Sequence, residues 1–220
     1  IQRYKMYYFN NICCAPNFAL KELKMKNVFI INGGHAFAHS PGKFNETLLQ
    51  ESIQHFKEIG FEVKFTKVGE EYDLKEEVEK FKWADLIIYH TPIWWFQLPF
   101  RFKEYIDRVF TEGHENGIYM SDGRSRKNPA INYGTAGSLK GKPYILTTSW
   151  NAPKEAFERD GEFFEQRSVD DGAMFGFHKM NQFADMKKLA SLHFHDIEKN
   201  ADVPKELKRY KAFLNDLFEE

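Results

Sequence analysis

Two short apolar runs constrain the fold more than anything else in this chain: VFII, Val28 to Ile31, and the middle of ADLIIYHTP, Ala84 to Pro92. Neither alternates apolar with polar residues, as a strand with one wet face would. A brief, unbroken apolar run reads instead as a strand buried on both faces, the situation of a central strand in a parallel sheet. Such a sheet needs helices on both sides, because parallel neighbours are joined by crossover connections.

The flanking sequence supplies them. After Pro41 and Gly42, apolar residues at Phe44, Leu48, Leu49, Ile53, Phe56 and Ile59 recur at helical spacing, and Gly60 is placed to stop the helix. FEVKFTKV, Phe61 to Val68, alternates and reads as an edge strand; LKEEVEKFKW then sets Leu74, Val78 and Phe81 on one helical face. A further helix carries Leu98, Phe102, Ile106 and Val109. KPYILTTSW, Lys142 to Trp150, and KLASLHFH, Lys188 to His195, are the fourth and fifth strands, and a terminal helix phases Leu207, Tyr210, Leu214 and Leu217. Five strands alternating with helices imply an α/β doubly wound parallel sheet, whose ligands bind beyond the carboxyl ends of the strands at the topological switch point. The loops after the first, third and fourth strands are therefore the candidate site. The polar stretch from Thr111 to Lys142 is too long for a bare connection and is expected to be functional or disordered.

Composition removes several function classes. With 31 Lys and Arg against 32 Asp and Glu, the chain offers no electrostatic argument for nucleic acid or an acidic membrane. The most apolar stretch, IWWFQLPF at Ile93 to Phe100, is far too short to cross a bilayer, so no membrane insertion is expected. The two cysteines, Cys13 and Cys14, are adjacent and make neither a disulfide framework nor a metal-ligand spacing, which fits a reducing cytoplasm. Met25 opens MKNVFIINGG like a natural protein start, so residues 1–24 read as an extension of unassigned role ahead of a single domain over 25–220.

The loop NGGHAFAHSPGKFNETLL, Asn32 to Leu49, brings Ser40, Asn45 and Thr47 to a helix start, where free backbone N–H groups and a dipole term of about 0.3–1 kcal/mol favour a phosphate. It lacks both the Lys-Ser/Thr ending of a P-loop and the GxGxxG spacing of dinucleotide folds. On its own it is equally readable as a turn in which Ser40 or Asn45 caps the helix. HTPIWWFQLP, His90 to Pro99, tips the balance, because two tryptophans directly after a central strand suit a wall for a flat ligand. One of Trp94 and Trp95 is expected to line the pocket and the other to pack beneath it. YGTAGS, Tyr133 to Ser138, permits close backbone approach or is a flexible turn, and SWNAPKEAF, Ser149 to Phe157, adds another Trp and an amide. His193 and His195 share a strand face but have no third ligand, so no metal centre is expected, and His39 reads as a loop-fixing residue.

AHSPGKFNETL, WADLIIYHTPIWW, YIDRVFTEGH, IYMSDGRSRK, LTTSWNAPKEAF and FHKMNQF, in this order, resemble the segments of the flavodoxin-like NAD(P)H:quinone reductases from about Met25 to the terminal helix. The resemblance implies a flavodoxin-like sheet in the order 2-1-3-4-5 and a cofactor of FAD in preference to FMN. It implies a pyrophosphate held by Ser40, Gly42, Phe44, Asn45 and Thr47. It places Pro92, Ile93, Trp94 and Trp95 beside the isoalloxazine, with Tyr119, Gly134, Thr135, Ala136 and Gly137 completing the flavin site. Trp150, Asn151 and Phe157 are expected at the substrate pocket. It further implies a homodimer in which Tyr119 acts across subunits, and ping-pong chemistry: NADPH or NADH reduces the flavin by hydride, and a quinone then takes two electrons. No catalytic side chain is required, since the flavin carries the reaction. Relatives carry a Gly before the tryptophan pair and a smaller segment after it, so PIWWFQLPF is a departure. A one-electron flavodoxin carrier would have a markedly acidic docking face, which this near-neutral chain lacks; a flavin-free interaction domain is the other rival reading.

Overall fold

The computed structural model describes residues 25–38 and 40–218; the 1–24 extension and His39 lie outside the described residues. Five strands, β1 (Asn27–Asn32), β2 (Glu62–Lys67), β3 (Leu86–Pro92), β4 (Lys142–Ser149) and β5 (Met186–Phe194), form one parallel sheet in the order β2-β1-β3-β4-β5. The two apolar runs fall on the central strands: Val28 to Ile31 and Leu86 to Tyr89 are fully buried. β2 is the edge strand as expected, but its alternation does not hold: Phe65 is exposed, while Thr66, expected on the wetter face, is buried by its hydrogen bond to Glu77.

Helices cover both faces. On one side α1 (Lys43–Glu58) and α6 (Val203–Phe218) pack Leu48, Leu49, Phe56, Tyr210, Phe213 and Leu214 against Val28, Ile30, Ile88 and Leu192. On the other, α2 (Leu74–Trp83), α3 (Phe100–Glu112) and α5 (Phe175–Phe183) bury Val78, Phe81, Phe102, Tyr105 and Phe177 against Phe29, Ile31, Ile87 and Tyr89. Asp73 starts α2 as its N-cap, accepting from the backbone N–H groups of Lys75 at 2.9 Å and Glu76 at 3.0 Å.

Two helices lack a clear sequence signal. α5 buries only Phe177 and Asn181 of its nine residues, and α4 (Glu155–Glu158) is a single turn. β5 ends at Phe194, so His195 does not share a strand face with His193. The long 113–141 segment is held in place: Tyr119 bridges Gly137, while the N–H groups of Leu139 and Gly141 donate to the carbonyls of Ala184 and Asp185. Because α3 carries the chain back to the amino end of the sheet, that whole segment lies at the edge from which β4 departs.

Candidate functional site

At the carboxyl edge, β1 runs into Gly33 and Gly34, which are required by packing. Neither uses left-handed backbone; a Cβ on Gly33 would sit 2.4 Å from the Phe102 ring, and one on Gly34 2.9 Å from the Asn45 Cβ. The turn itself belongs to Gly42, which caps α1 at φ 72, a conformation open to glycine, with His35 backbone 3.3 Å from where a Cβ would stand. No side chain caps α1, so its first-turn N–H groups face outward unpaired by a cap.

That helix start opens into a cleft of about 600 Å3 running past Asn32, Gly34, Lys43, Thr47, Lys67 and Arg101. Lys43, Lys67 and Arg101 outnumber Glu46 and Glu70 there. Burial pushes the Glu46 carboxyl up, but Lys67 at 2.9 Å, Gln50 and Asn32 hold it below its usual value, so it is an ionised, paired carboxylate. Two buried groups here have unmet hydrogen-bonding capacity among the described residues: both ring nitrogens of His35 and Oδ1 of Asn45. Burial, and then the Arg101 charge, lower the His35 pKa and favour its neutral form. A buried polar atom without a partner calls for an explanation, and a polar ligand is the simplest one.

The β3–α3 loop stands beside this cleft. Trp94 packs on His35 with centroids 4.9 Å apart and on Phe37 at 5.2 Å, and Phe100 closes the group at 5.0 Å from His35. Its neighbour projects outward: Trp95 is 91% exposed. Backbone hydrogen bonds in both directions between Trp94 and Gln97, each 3.0 Å, close a two-residue turn with φ 49 at Trp95 and 64 at Phe96. Turns with two positive φ values favour Asn and Gly, so two aromatic residues here hold strained backbone, a feature that clusters at functional sites.

Phe96 leads into a second aromatic group. It stacks on Phe163 at 5.3 Å and meets Phe164 at 5.9 Å; Phe164 lies parallel to Phe157 at 3.8 Å, and Trp150 abuts both. Trp150 and Phe157 are buried, and the Trp150 indole N–H donates to Thr148 Oγ1 at 2.7 Å, so these two form the floor under the loop while Asn151 is exposed. Pro92 is buried at the end of β3, and the Ile93 N–H is taken by the Ser149 carbonyl at 2.9 Å. Ser40 is half-buried in a short turn paired with Phe37, and Phe44 turns into the core against Phe194.

Tyr119, Gly134, Thr135, Ala136 and Gly137 are not brought to this edge. They lie at the amino end, where Tyr119 stacks on His114 at 4.9 Å and meets Phe183, and a Cβ on Gly137 would collide with Ala184 at 2.2 Å. A separate cavity of about 500 Å3 at that end is lined by Lys82, Lys140 and Lys142. Burial lowers the Lys142 pKa to about 8, and its amine donates to the carbonyls of Phe81 and Lys82. The histidines are engaged elsewhere: His193 binds Asp170 and Thr148, and His195 packs on Phe157 with its pKa lowered by burial to about 4.

Comparison with known proteins agrees with this architecture. Residues 26–215 match a family model described as flavodoxin-like fold. NADPH:quinone oxidoreductase MdaB of Haemophilus influenzae is 42% identical over 192 residues, 87% of this chain and 99% of that protein. An uncharacterised protein of Schizosaccharomyces pombe is 46% identical over 191 residues, 87% of this chain and 96% of its own. Among solved structures, a putative quinone reductase from Klebsiella pneumoniae superposes with a TM-score of 0.69 at 22% identity, covering 89% of this chain and 86% of that one, which speaks to the fold alone. The order of the strands, the match to the flavodoxin-like model and the 42% identity to nearly the whole Haemophilus protein together make this chain a member of the flavodoxin-like NAD(P)H:quinone reductase family.

Proposed function

We propose that the chain is an FAD-dependent NAD(P)H:quinone oxidoreductase that works by ping-pong hydride transfer. The observation that carries this reading is the meeting, at the switch point, of an uncapped helix start with the His35, Phe37, Trp94 and Phe100 group. The residues fit a flavin nucleotide: the α1 N–H groups, with Ser40, Gly42 and Thr47, suit its pyrophosphate. The unmet groups of Asn45 and His35 suit its polar atoms, and Trp94 and Trp95 suit its ring. The cleft extends past β2 to Lys67 and Arg101, which leaves room for the second nucleotide half and favours FAD over FMN.

A bound flavin supplies the two-electron chemistry, accepting hydride from NADPH or NADH and yielding it to a quinone. The chain's own residues bind and orient. The α1 dipole and Lys43 offset phosphate charge, Trp94 stiffens the wall through its contacts with His35 and Phe37, and Trp150 and Phe157 support the acceptor side beside Asn151. Tyr119 and Gly134 to Gly137, at the opposite end of the sheet, are assigned to the site of a second copy in a homodimer. The protein is expected to act in the cytoplasm.

Purification tests the reading. Yellow protein that releases FAD on denaturation, reduces menadione rapidly with NADPH or NADH and has the mass of a dimer is the expected result. Colourless protein that takes up neither FAD nor FMN would overturn it. FMN alone in the released pool would overturn the choice of flavin.

A further inference from the structure

Away from the cleft, a largely buried polar cluster is centred on Asp170, in the turn ahead of α5. Its Oδ1 accepts from Nε2 of His178 at 2.9 Å and faces Nε2 of His193 at 3.3 Å; its Oδ2 accepts from Nζ of Lys188 at 2.7 Å and Oγ of Ser191 at 2.5 Å. Four donors converge on one carboxyl group. Burial pushes the Asp170 pKa up, but these partners hold it far below the usual carboxylate range, so the group is ionised.

A register shift builds the cluster. On β4, Tyr144 and Thr148 are four residues apart and face the same side; their partners on β5, Lys188 and His193, are five apart. The extra residue is Leu189, which has no partner across the pair. Without it, strict alternation would send Lys188 and His193 to opposite faces. With it, Lys188, Ser191 and His193 share the Asp170 side, while Ala190, Leu192 and Phe194 face α1 and α6.

The charge on Asp170 then dictates each proton in turn. With Nε2 of each ring turned to Asp170, the neutral tautomer that donates there presents Nδ1 as an acceptor. Tyr144 donates its hydroxyl to His178 Nδ1 at 2.6 Å, and Thr148 donates its own to His193 Nδ1 at 2.7 Å. Having spent its hydrogen, Thr148 Oγ1 is left as the acceptor of the Trp150 indole N–H at 2.7 Å. Trp150 in turn abuts Phe157 and Phe164, and Phe164 touches Phe96 in the strained turn.

We propose that Asp170 is a positioning residue for the candidate site: through the tautomer of His193 and the hydroxyl of Thr148 it locks the Trp150 indole, and with it the aromatic floor beneath the Trp95–Phe96 turn. The catalytic consequence rests on the quinone reductase reading; the lock on Trp150 does not. Removing the charge frees His193 to carry its hydrogen on Nδ1; Thr148 then loses the acceptor of its hydroxyl hydrogen, and the oxygen that receives the indole N–H is no longer held in one orientation.

The test is read on Trp150 first. In 15N-labelled protein, with the indole N–H assigned by Trp150→Phe, hydrogen exchange at this group should accelerate about tenfold in both Asp170→Asn and Thr148→Val, as expected for one lost buried hydrogen bond. In flavin-loaded enzyme the same variants should raise the KM for menadione about fivefold, again about one hydrogen bond, with kcat changed less. Unchanged indole exchange in Asp170→Asn overturns the lock. Accelerated exchange with an unchanged KM overturns its role in the site. Should Asp170→Asn fail to fold, His193→Gln replaces it, with the same exchange result deciding. A colourless protein would count against the quinone reductase reading alone, because the indole measurement needs no flavin.

Discussion

The side-chain amide of Asn45, in the first turn of α1, donates to the hydroxyl of Ser149, at the end of β4, across 3.1 Å. This buried bond ties the candidate phosphate grip to the strand that carries the aromatic floor. Asn45 also keeps a buried Oδ1 with no partner among the described residues, a cost the fold bears without structural return. Asn45→Ala removes the bond and the orphaned oxygen together, so its expected cost in urea denaturation is under about 1 kcal/mol. Ser149→Ala instead strands the whole buried amide and should cost about 1–3 kcal/mol. Flavin affinity should fall in Asn45→Ala despite the smaller stability change; equal losses of stability in both variants, with flavin affinity intact, would make Asn45 a purely structural residue.

Trp95 gives the opposite trade. At 91% exposure it contributes little burial, yet it occupies left-handed backbone at φ 49. Such a conformation costs a bulky residue about 1–2 kcal/mol, whereas Asn adopts it readily and suits this position of a two-residue turn. Trp95→Asn should therefore raise the urea midpoint, by about 1 kcal/mol in stability, and weaken flavin retention. A variant that is less stable than the parent would show that the turn carries no strain.

What the residues revealed in advance follows from how local the signal is. VFII and LIIY needed only an unbroken run to mark β1 and β3, and Phe61 to Val68 only its alternation to mark the edge. α5 was hidden because one buried face of Phe177 and Asn181 leaves no apolar stripe. The carboxyl-edge loops were legible as a site because every βα loop of a parallel sheet opens there. Tyr119 and Gly134 to Gly137 are grouped with them by the small residues of YGTAGS and by resemblance, yet a segment between α3 and β4 of a parallel sheet belongs at the amino end, because the helix returns the chain there. The Asp170 cluster depends on one unpaired residue, Leu189, and no periodicity announces a single-residue register shift.

Gly33 illustrates the same limit, since its role appears only when Phe102 is seen against it. A methyl group there would stand 2.4 Å from the ring edge and 2.7 Å from the next ring carbon. Gly33→Ala should cost about 1–3 kcal/mol as overpacking. The penalty should shrink in a Phe102→Leu background, giving a coupling of at least about 0.5 kcal/mol in a double-mutant cycle followed by urea denaturation. Strict additivity would mean that the glycine is needed for its backbone and not for the contact.

His90 sets an acid limit on stability. It is fully buried between α1 and the sheet, with Nε2 2.9 Å from Ser52 Oγ and Nδ1 2.7 Å from Thr147 Oγ1. Ser52 donates to the Leu48 carbonyl and is also 2.6 Å from the Tyr210 hydroxyl, so His90 must carry its hydrogen on Nε2 and accept from Thr147. A second ring proton would force Thr147 to turn its hydroxyl hydrogen to the Tyr89 carbonyl, 3.5 Å away, and burial lowers the His90 pKa to about 3. The unfolded chain takes up that proton near pH 6.5 while the folded chain refuses it, so the unfolded state binds more protons and stability falls as the pH drops below 6.5. The loss approaches about 1.4 kcal/mol per pH unit and ends near the folded pKa. His195, lowered by burial to about 4, adds a loss of the same sign. Between pH 6.5 and 5 ordinary carboxylates stay ionised, so urea midpoints measured across that window report the histidines. The midpoint should fall steadily in the parent and less steeply in His90→Gln; identical slopes in the two proteins would mean that His90 is protonated in the fold.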